Sequence, residues 1–161
     1  MFIKKNNNSS FWFRNISYDL NPKNHFIFSD PFLDVTFIQL SEEELDEIGI
    51  DCLEIHENKS IPDDAFIIQY PNGKNLSLAQ GKIKSRWGFN LFHTISTDHG
   101  SSGGPLVLLN NNKIIGIHKC GMKKLKCNAA TNIQTIVEAL RVINSSKITN
   151  KLSIIKKEEI H

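Results

Sequence analysis

Short apolar and β-branched runs, separated by turn residues, fill the chain between residues 11 and 117. Turn signals such as Asp30-Pro31 and Pro71-Asn72-Gly73 interrupt them. The predicted β segments are 11–18, 26–28, 35–40, 66–70, 76–83 with Gly81 as a bend, 91–95, 106–109 and 113–117. Strands of this length and spacing are typical of an antiparallel barrel or sandwich and not of a parallel sheet.

Two segments have helical features instead. Ser41 and Glu44 have the residue types and the spacing of a capping box, which predicts one or two helical turns ending near Gly49. Near the end of the chain, five apolar residues recur at helical spacing: Ile133, Ile136, Val137, Leu140 and Ile143. Because they form one apolar stripe, we expect a single C-terminal amphipathic helix.

The composition limits the possible classes of protein. With 161 residues, of which 40% are hydrophobic and 22% charged, the chain has the size and make-up of one globular domain. A net charge of +2 provides no electrostatic footprint for nucleic acid, and the sequence has no run of ~20 apolar residues to cross a membrane. Its first residues are too polar for a secretory signal. A cytoplasmic location is therefore the default expectation.

The stretch from Ser96 to Pro105 carries the candidate chemistry. Ser102 lies two residues after Gly100 and directly before two further glycines. A nucleophilic serine needs backbone N–H donors aimed at the oxyanion, and glycines allow the tight turn that supplies them. The same residues fit the nucleophile elbow of α/β hydrolases, but that elbow runs directly into a helix, whereas residues 106–117 predict a hairpin. From the motif alone, a plain Gly/Ser loop stays an alternative.

Several motifs in order resemble the chymotrypsin-like serine peptidases, and most of all the V8-like glutamyl endopeptidases. The first is Gly-x-Ser-Gly-Gly-Pro followed by an apolar strand, a turn and Ile115-Gly116-Ile117-His118. The other motifs are the strand and Pro-x-Gly turn at 68–74, the strand at 81–83 and Thr97. In addition, the segment at 128–133 resembles the lead into the family's final helix, and the segment at 33–40 resembles the strand that begins with the triad aspartate. The resemblance spans residues 18–143 and implies an all-β, chymotrypsin-like antiparallel β-barrel with a C-terminal α-helix.

Site residues follow from the resemblance, position by position. It implies that Ser102 is the nucleophile, that Asp34 orients the base, and that the N–H groups of Gly100 and Ser102 line the oxyanion hole. Thr97 and His118 would lie in the pocket for the residue before the scissile bond. The residues implied to bind substrate are His118, Thr97, Ser96 and His99.

Ser96 stands where trypsin-like members carry an aspartate, which disfavours a preference for Lys or Arg. A histidine at the His118 position helps the glutamyl-specific relatives to bind a carboxylate, so we expect a preference for acidic residues in a peptide or protein substrate. Five lysines, at 113, 119, 123, 124 and 126, either cover a solvated loop or attract such substrates.

The catalytic base is missing from the pattern. In the family a histidine in a Thr/Ala-x-x-His-type stretch precedes the aspartate, whereas the one histidine upstream of Asp34 is His25, outside any such motif. A two-barrel peptidase also needs ~200 residues or more. The sequence thus predicts a tail at 1–10, a partial first barrel at 11–57, a complete second barrel with the helix at 58–144, and a polar tail at 145–161.

These observations lead to the expectation of an N-terminally truncated serine endopeptidase. Its first barrel would be completed upstream or by a second chain, because an unfinished barrel leaves unpaired strand edges. The alternative is an inactive peptidase-like module, or a fragment, that binds peptides without cutting them. No cofactor is implied. His118, Cys120 and Cys127 have the spacing of part of a zinc site, but a structural zinc needs a fourth ligand, so we expect no metal.

Overall fold

The computed structural model describes residues 10–13, 16–19, 25–49, 52–56 and 64–144. Apart from Ser10, the predicted tails lie outside the described residues, as does the segment at 57–63 where the two predicted parts meet. The strands are β1 (Ser10–Phe13), β2 (Ile16–Asp19), β3 (Ile27–Asp30), β4 (Val35–Ile38), β5 (Asp64–Gln69), β6 (Ser77–Trp87), β7 (Asn90–His93), β8 (Pro105–Leu108), β9 (Ile114–Met122) and β10 (Cys127–Asn132). The helices are α1 (Glu42–Ile48) and α2 (residues 133–144).

Strands β5 to β10 close into an antiparallel barrel in the order β10-β7-β6-β5-β8-β9. Buried positions alternate with partly exposed ones along β5, because successive side chains point to opposite faces of a strand. The residues that fill the barrel are Ala65, Ile67, Ile83, Leu91, Ile95, Leu106, Leu108, Ile115 and Ala130. The antiparallel barrel and the C-terminal helix that the sequence predicts are both confirmed.

Two details of the barrel differ from the sequence-based expectation. Strand β10 was not predicted, because its sequence contains a single β-branched residue and no aromatic one; it is nevertheless paired on both sides, with β7 and with β9. Gly81 is not a bend but lies inside β6. A Cβ at Gly81 would be 2.9 Å from the backbone of Ile95, so glycine allows two backbone segments to approach closely there.

Before the barrel, the chain forms two small antiparallel sheets and a short helix. β1 pairs with β2, and β3 pairs with β4. At the start of α1, the Glu44 N–H donates to Ser41 Oγ at 3.2 Å, and the Ser41 N–H donates to the Glu44 carboxylate at 2.7 Å. The predicted capping box is therefore confirmed, and Gly49 ends the helix with a left-handed φ of 64°.

The segment around Asp34 is attached to the barrel by buried contacts. Leu33 and Val35 pack in one buried cluster with Ile133 and Ile136 of α2. The buried hydroxyl of Thr131 also donates a hydrogen bond to the Leu33 carbonyl. These contacts, made by residues on either side of Asp34, hold that residue against the barrel. In the part of the chain that the structure describes, no helix is long and apolar enough to span a membrane.

Candidate active site

Hydrogen bonds within the turn before β8 fix its shape. The Ser101 N–H donates to the Asp98 carbonyl at 3.1 Å, and the Asp98 N–H donates to Ser101 Oγ at 3.0 Å. Gly100 and Gly103 have φ values of 84° and 85°, a left-handed conformation that glycine adopts without steric cost. Since Ser101 is only 1% exposed whereas Ser102 is exposed, the turn buries the first serine and presents the second.

Three hydrogen bonds attach this turn to β9. The Gly103 N–H donates to the His118 carbonyl at 2.8 Å, and the His118 N–H donates to the Gly104 carbonyl at 2.9 Å. Ser102 Oγ donates to the Lys119 carbonyl at 2.9 Å. The side chain expected to be the nucleophile is thus held at a defined place, by a backbone acceptor and not by a base.

Two backbone N–H groups of the turn are left without an acceptor among the described residues. The N–H groups of Ser101, Gly103 and Gly104 are each hydrogen-bonded, whereas those of Gly100 and Ser102 donate to no acceptor in that part of the chain. Free N–H groups on either side of an exposed hydroxyl are what an oxyanion hole requires. The geometry is therefore compatible with the role that the resemblance implies for Gly100 and Ser102.

One cleft beside Ser102 contains every residue implied to bind substrate. Its volume is about 740 Å³, and it is lined by Ser96, Thr97, His99 and His118 together with other residues of the turn, β9 and β10. Lys119, Lys123 and Lys126 also line it. We call it the lysine cleft. Because cations outnumber acids in its lining, its potential favours an anionic ligand.

Asp34 and Ser102 share a second cleft. This cleft has a volume of about 430 Å³ and also contains Thr36 and His118; we call it the Asp34 cleft. Asp34 is exposed and has a left-handed φ of 55°, a conformation that a short polar side chain tolerates better than most. The structure therefore brings together the two residues implied to be catalytic, although they are far apart in sequence.

His118 forms a buried pair with His93, a residue without a predicted role. Their rings meet edge to face, with His93 Nε2 3.2 Å from His118 Nδ1. Burial, followed by the nearby charge of His118, lowers the pKa of His93 to about 4. Burial also lowers the pKa of His118, opposed by a hydrogen bond with the Ala129 backbone. Both rings are therefore neutral at neutral pH. The signal in the sequence was the alternation along β7, which places His93 on the same inward face as Leu91.

No described histidine is placed to take the Ser102 proton. His25 Nε2 is 2.7 Å from Glu44 Oε1, at the start of α1. His99 is exposed and lines the lysine cleft but not the Asp34 cleft, and His56 lines neither. His118 lines both clefts, but its ring is bonded to His93 and to the Ala129 backbone.

Cysteines and possible metal ligands add no further site. The three cysteines have free thiols. Within the ranges that the structure describes, no three His, Cys, Asp or Glu side chains are grouped as metal ligands would be.

The sequence matches the family described as trypsin-like peptidase domain over residues 6–117. A comparison with curated proteins finds no significant match.

Solved serine protease structures have a similar fold. The serine endoprotease from Yersinia pestis has a TM-score of 0.60 at 19% identity, covering 73% of this chain and 43% of that chain. The active form of the Rv3671c protease from M. tuberculosis has a TM-score of 0.63 at 15% identity, covering 84% and 63%. The serine protease domain of the Sesbania mosaic virus polyprotein has a TM-score of 0.58 at 17% identity, covering 80% and 70%.

The chain spans less than two thirds of the length of the first two of these structures. At such low identity the structural similarity establishes the fold, whereas the family match extends over more than half of the sequence. By its sequence, this chain belongs to the family of trypsin-like peptidase domains.

Proposed function

We propose that the chain is the catalytic part of a serine endopeptidase in which Ser102 attacks the carbonyl carbon of a peptide bond. The N–H groups of Gly100 and Ser102 would stabilise the oxyanion, and Asp34 would orient the base. The observation that carries the proposal is the exposed Ser102 hydroxyl. It lies beside two N–H groups that have no acceptor among the described residues, and it shares a cleft with Asp34.

The base in this proposal comes from outside the described residues. A serine hydroxyl at neutral pH is a weak nucleophile until a base removes its proton. The Asp34 cleft is open, and the one described histidine that lines it, His118, is bonded elsewhere. A histidine from a longer form of the protein, or from a second chain that completes the first barrel, would enter that cleft between Asp34 and Ser102.

For the substrate we propose a peptide or protein with an acidic residue before the scissile bond, as in the V8-like group. The support comes from the lysine cleft, whose lining includes Lys123 and Lys126, both exposed. The single acidic residue in that lining is Asp98, and its carboxylate already accepts hydrogen bonds from Asn72 and His99. With three lysines against one aspartate in this lining, a substrate carboxylate would meet net positive charge.

One observation favours the second candidate, a peptide-binding module without activity. Ser102 Oγ donates to the Lys119 carbonyl, so its proton is held by an acceptor too weak to remove it. In that case the same two clefts would hold a peptide without cutting it.

A fluorophosphonate probe distinguishes the two candidates. The probe reacts with activated serine hydroxyls: an O–P bond forms, fluoride leaves, and the proton passes to a base. We expect slow labelling of the wild-type chain, faster labelling when imidazole is added as an external base, and none in Ser102→Ala. The matched control is Ser85→Ala, which removes an exposed hydroxyl on β6 that lines neither cleft, and it should still be labelled. Absence of labelling in folded wild type, with and without imidazole, would favour the binding module.

The acidic preference has a separate test. The binding or cleavage of peptides that differ only by Glu or Gln before the scissile bond should favour Glu, and increasing salt should reduce the difference. Replacing Lys123 and Lys126 by Gln should also reduce it. Lys84→Gln is the matched control, because Lys84 is exposed on β6 and lines neither cleft. Equal preference for the two peptides in wild type would contradict the proposed specificity.

A further inference from the structure

The turn at Pro71–Gly73, between β5 and β6, packs directly on the serine turn. A Cβ on Gly100 would be 2.8 Å from the Tyr70 carbonyl oxygen and 3.0 Å from the Gly73 nitrogen. Asn72 lies at the centre of this contact with a left-handed φ of 57°. The two turns are therefore close enough for the conformation of one to constrain the other.

Two hydrogen bonds connect Asn72 to the residues before Gly100, and a third joins two of those residues to each other. The Asn72 backbone N–H donates to the His99 carbonyl at 2.5 Å. Asn72 Nδ2 donates to Asp98 Oδ2 at 2.8 Å, and the other oxygen of that carboxylate accepts the His99 N–H at 2.8 Å. The carboxylate is charged at neutral pH, since the hydrogen bonds from Asn72 and from the His99 backbone lower the pKa of Asp98.

Planarity of the peptide bond relates these contacts to the oxyanion hole. The carbonyl of His99 and the N–H of Gly100 belong to one peptide group, in which they point in opposite directions. When the His99 carbonyl is held by Asn72, the Gly100 N–H must therefore point away from the turn at Pro71–Gly73. Rotation of this peptide by half a turn would remove the Gly100 N–H from the oxyanion position and place a carbonyl oxygen there instead.

We propose that Asn72 and Asp98 are positioning residues: together they hold the His99–Gly100 peptide in the orientation that directs the Gly100 N–H at the oxyanion of the reaction at Ser102. This inference rests on the proposed function and assigns to Pro71–Gly73 a role that its sequence alone does not suggest. Neither side chain would contact the reacting atoms. Both act through the orientation of one peptide group.

The test exchanges the donor and the acceptor between the two side chains. Asn72→Asp places a second carboxylate against Asp98, so the hydrogen bond between the two side chains is lost. Asp98→Asn leaves one oxygen in place of two, which can accept from Asn72 or from the His99 N–H, so one of these two hydrogen bonds is lost. The double variant restores both, because the amide introduced at position 98 can donate to the carboxylate introduced at position 72 while its oxygen still accepts the His99 N–H. Asn112→Asp is the matched control, since Asn112 has the same φ of 57° and lines neither cleft.

Two measurements are made on the full chain, with imidazole present for the first. Fluorophosphonate labelling at increasing probe concentration separates the maximal rate from the half-saturating concentration. We expect each single variant to lower the maximal rate by roughly tenfold to a hundredfold, because removal of an oxyanion donor costs ~10²–10³. The half-saturating concentration should not change, and the double variant should recover most of the rate. Amide hydrogen exchange by NMR is the second measurement: the Asn72 N–H should lose protection in the single variants and regain it in the double variant.

The outcomes separate this inference from the proposed function. If wild type is labelled at Ser102 and both single variants are labelled equally fast, the positioning role is wrong and the proposed function stands. If wild type is not labelled at all, the proposed function fails, and hydrogen exchange alone decides whether Asn72 and Asp98 orient the peptide. A loss of rate that the double variant does not recover, with unchanged Asn72 protection, would also overturn the inference.

Discussion

Burial of His93 predicts that the folded protein loses stability as the pH falls from 7.5 to 5. The His93 side chain is 0% exposed, and its Nδ1 atom has no hydrogen-bond partner among the described residues. Burial lowers its pKa from 6.5 to about 4. Between these two values the unfolded chain binds a proton that the folded chain excludes, so stability is complete above pH 6.5 and decreases as the pH falls toward 4.

The expected size of the effect follows from the two pKa values. By proton linkage, a shift from 6.5 to about 4 corresponds to about 2 kcal/mol of stability lost between pH 7.5 and pH 5. With a urea m-value of ~2 kcal/mol/M, the midpoint of urea unfolding should fall by about 1 M. The lowered pKa values of Glu44, Glu54 and Asp98 affect stability mainly when the pH falls below about 4.5, where these carboxylates become protonated in the unfolded chain. The chosen pH window therefore isolates the histidines.

Urea unfolding of wild type and His93→Gln, each at both pH values, is the assay. The variant lacks the ionisable group, so most of the pH dependence should disappear, and the part due to the lowered pKa of His118 should remain. His99→Gln removes an exposed histidine and should keep the pH dependence of wild type. An equal midpoint shift in wild type and His93→Gln would refute the reasoning.

Three further predictions concern stability and can be checked by urea unfolding at pH 7.5. Thr131→Val leaves the buried Leu33 carbonyl without its donor and should lower the free energy of unfolding by about 1–3 kcal/mol. It should also slow labelling of Ser102, and a variant as stable as wild type would contradict this role of Thr131. Gly104→Ala would place a Cβ 2.7 Å from a β5 carbonyl oxygen, so it should lower the free energy of unfolding by ~2 kcal/mol or more. Gly88→Ala has open space around the new Cβ but a positive φ, so it should cost about 1–2 kcal/mol, and equal costs would refute the steric argument. Ser41→Ala removes the cap of α1 and should cost about 1 kcal/mol, so an unchanged midpoint would show that the cap adds nothing.

Features of the protein that depend on neighbouring residues could be predicted from the sequence. The alternation of apolar residues predicted most strands of the barrel, and the spacing of Ser41 and Glu44 predicted the cap of α1. The glycines around Ser102 predicted a tight turn, in agreement with the positive φ values of Gly100 and Gly103. In each case the deciding interaction joins residues a few positions apart, so the local pattern contains the information.

Other features were decided only by the tertiary structure, because they depend on residues far apart in the chain. Strand β10 has weak β-propensity and forms because two partner strands satisfy its backbone. The His93–His118 pair joins residues 25 positions apart, and Asn72 meets Asp98 across 26 positions. The hydroxyl of Thr131 reaches the Leu33 carbonyl across 98 positions, beside Asp34. A single histidine, asparagine, aspartate or threonine is common on any strand or turn, so the residue by itself does not reveal its partner. Only the closed barrel, by bringing the strand ends together, decides which of them meet and what chemistry each pair can support.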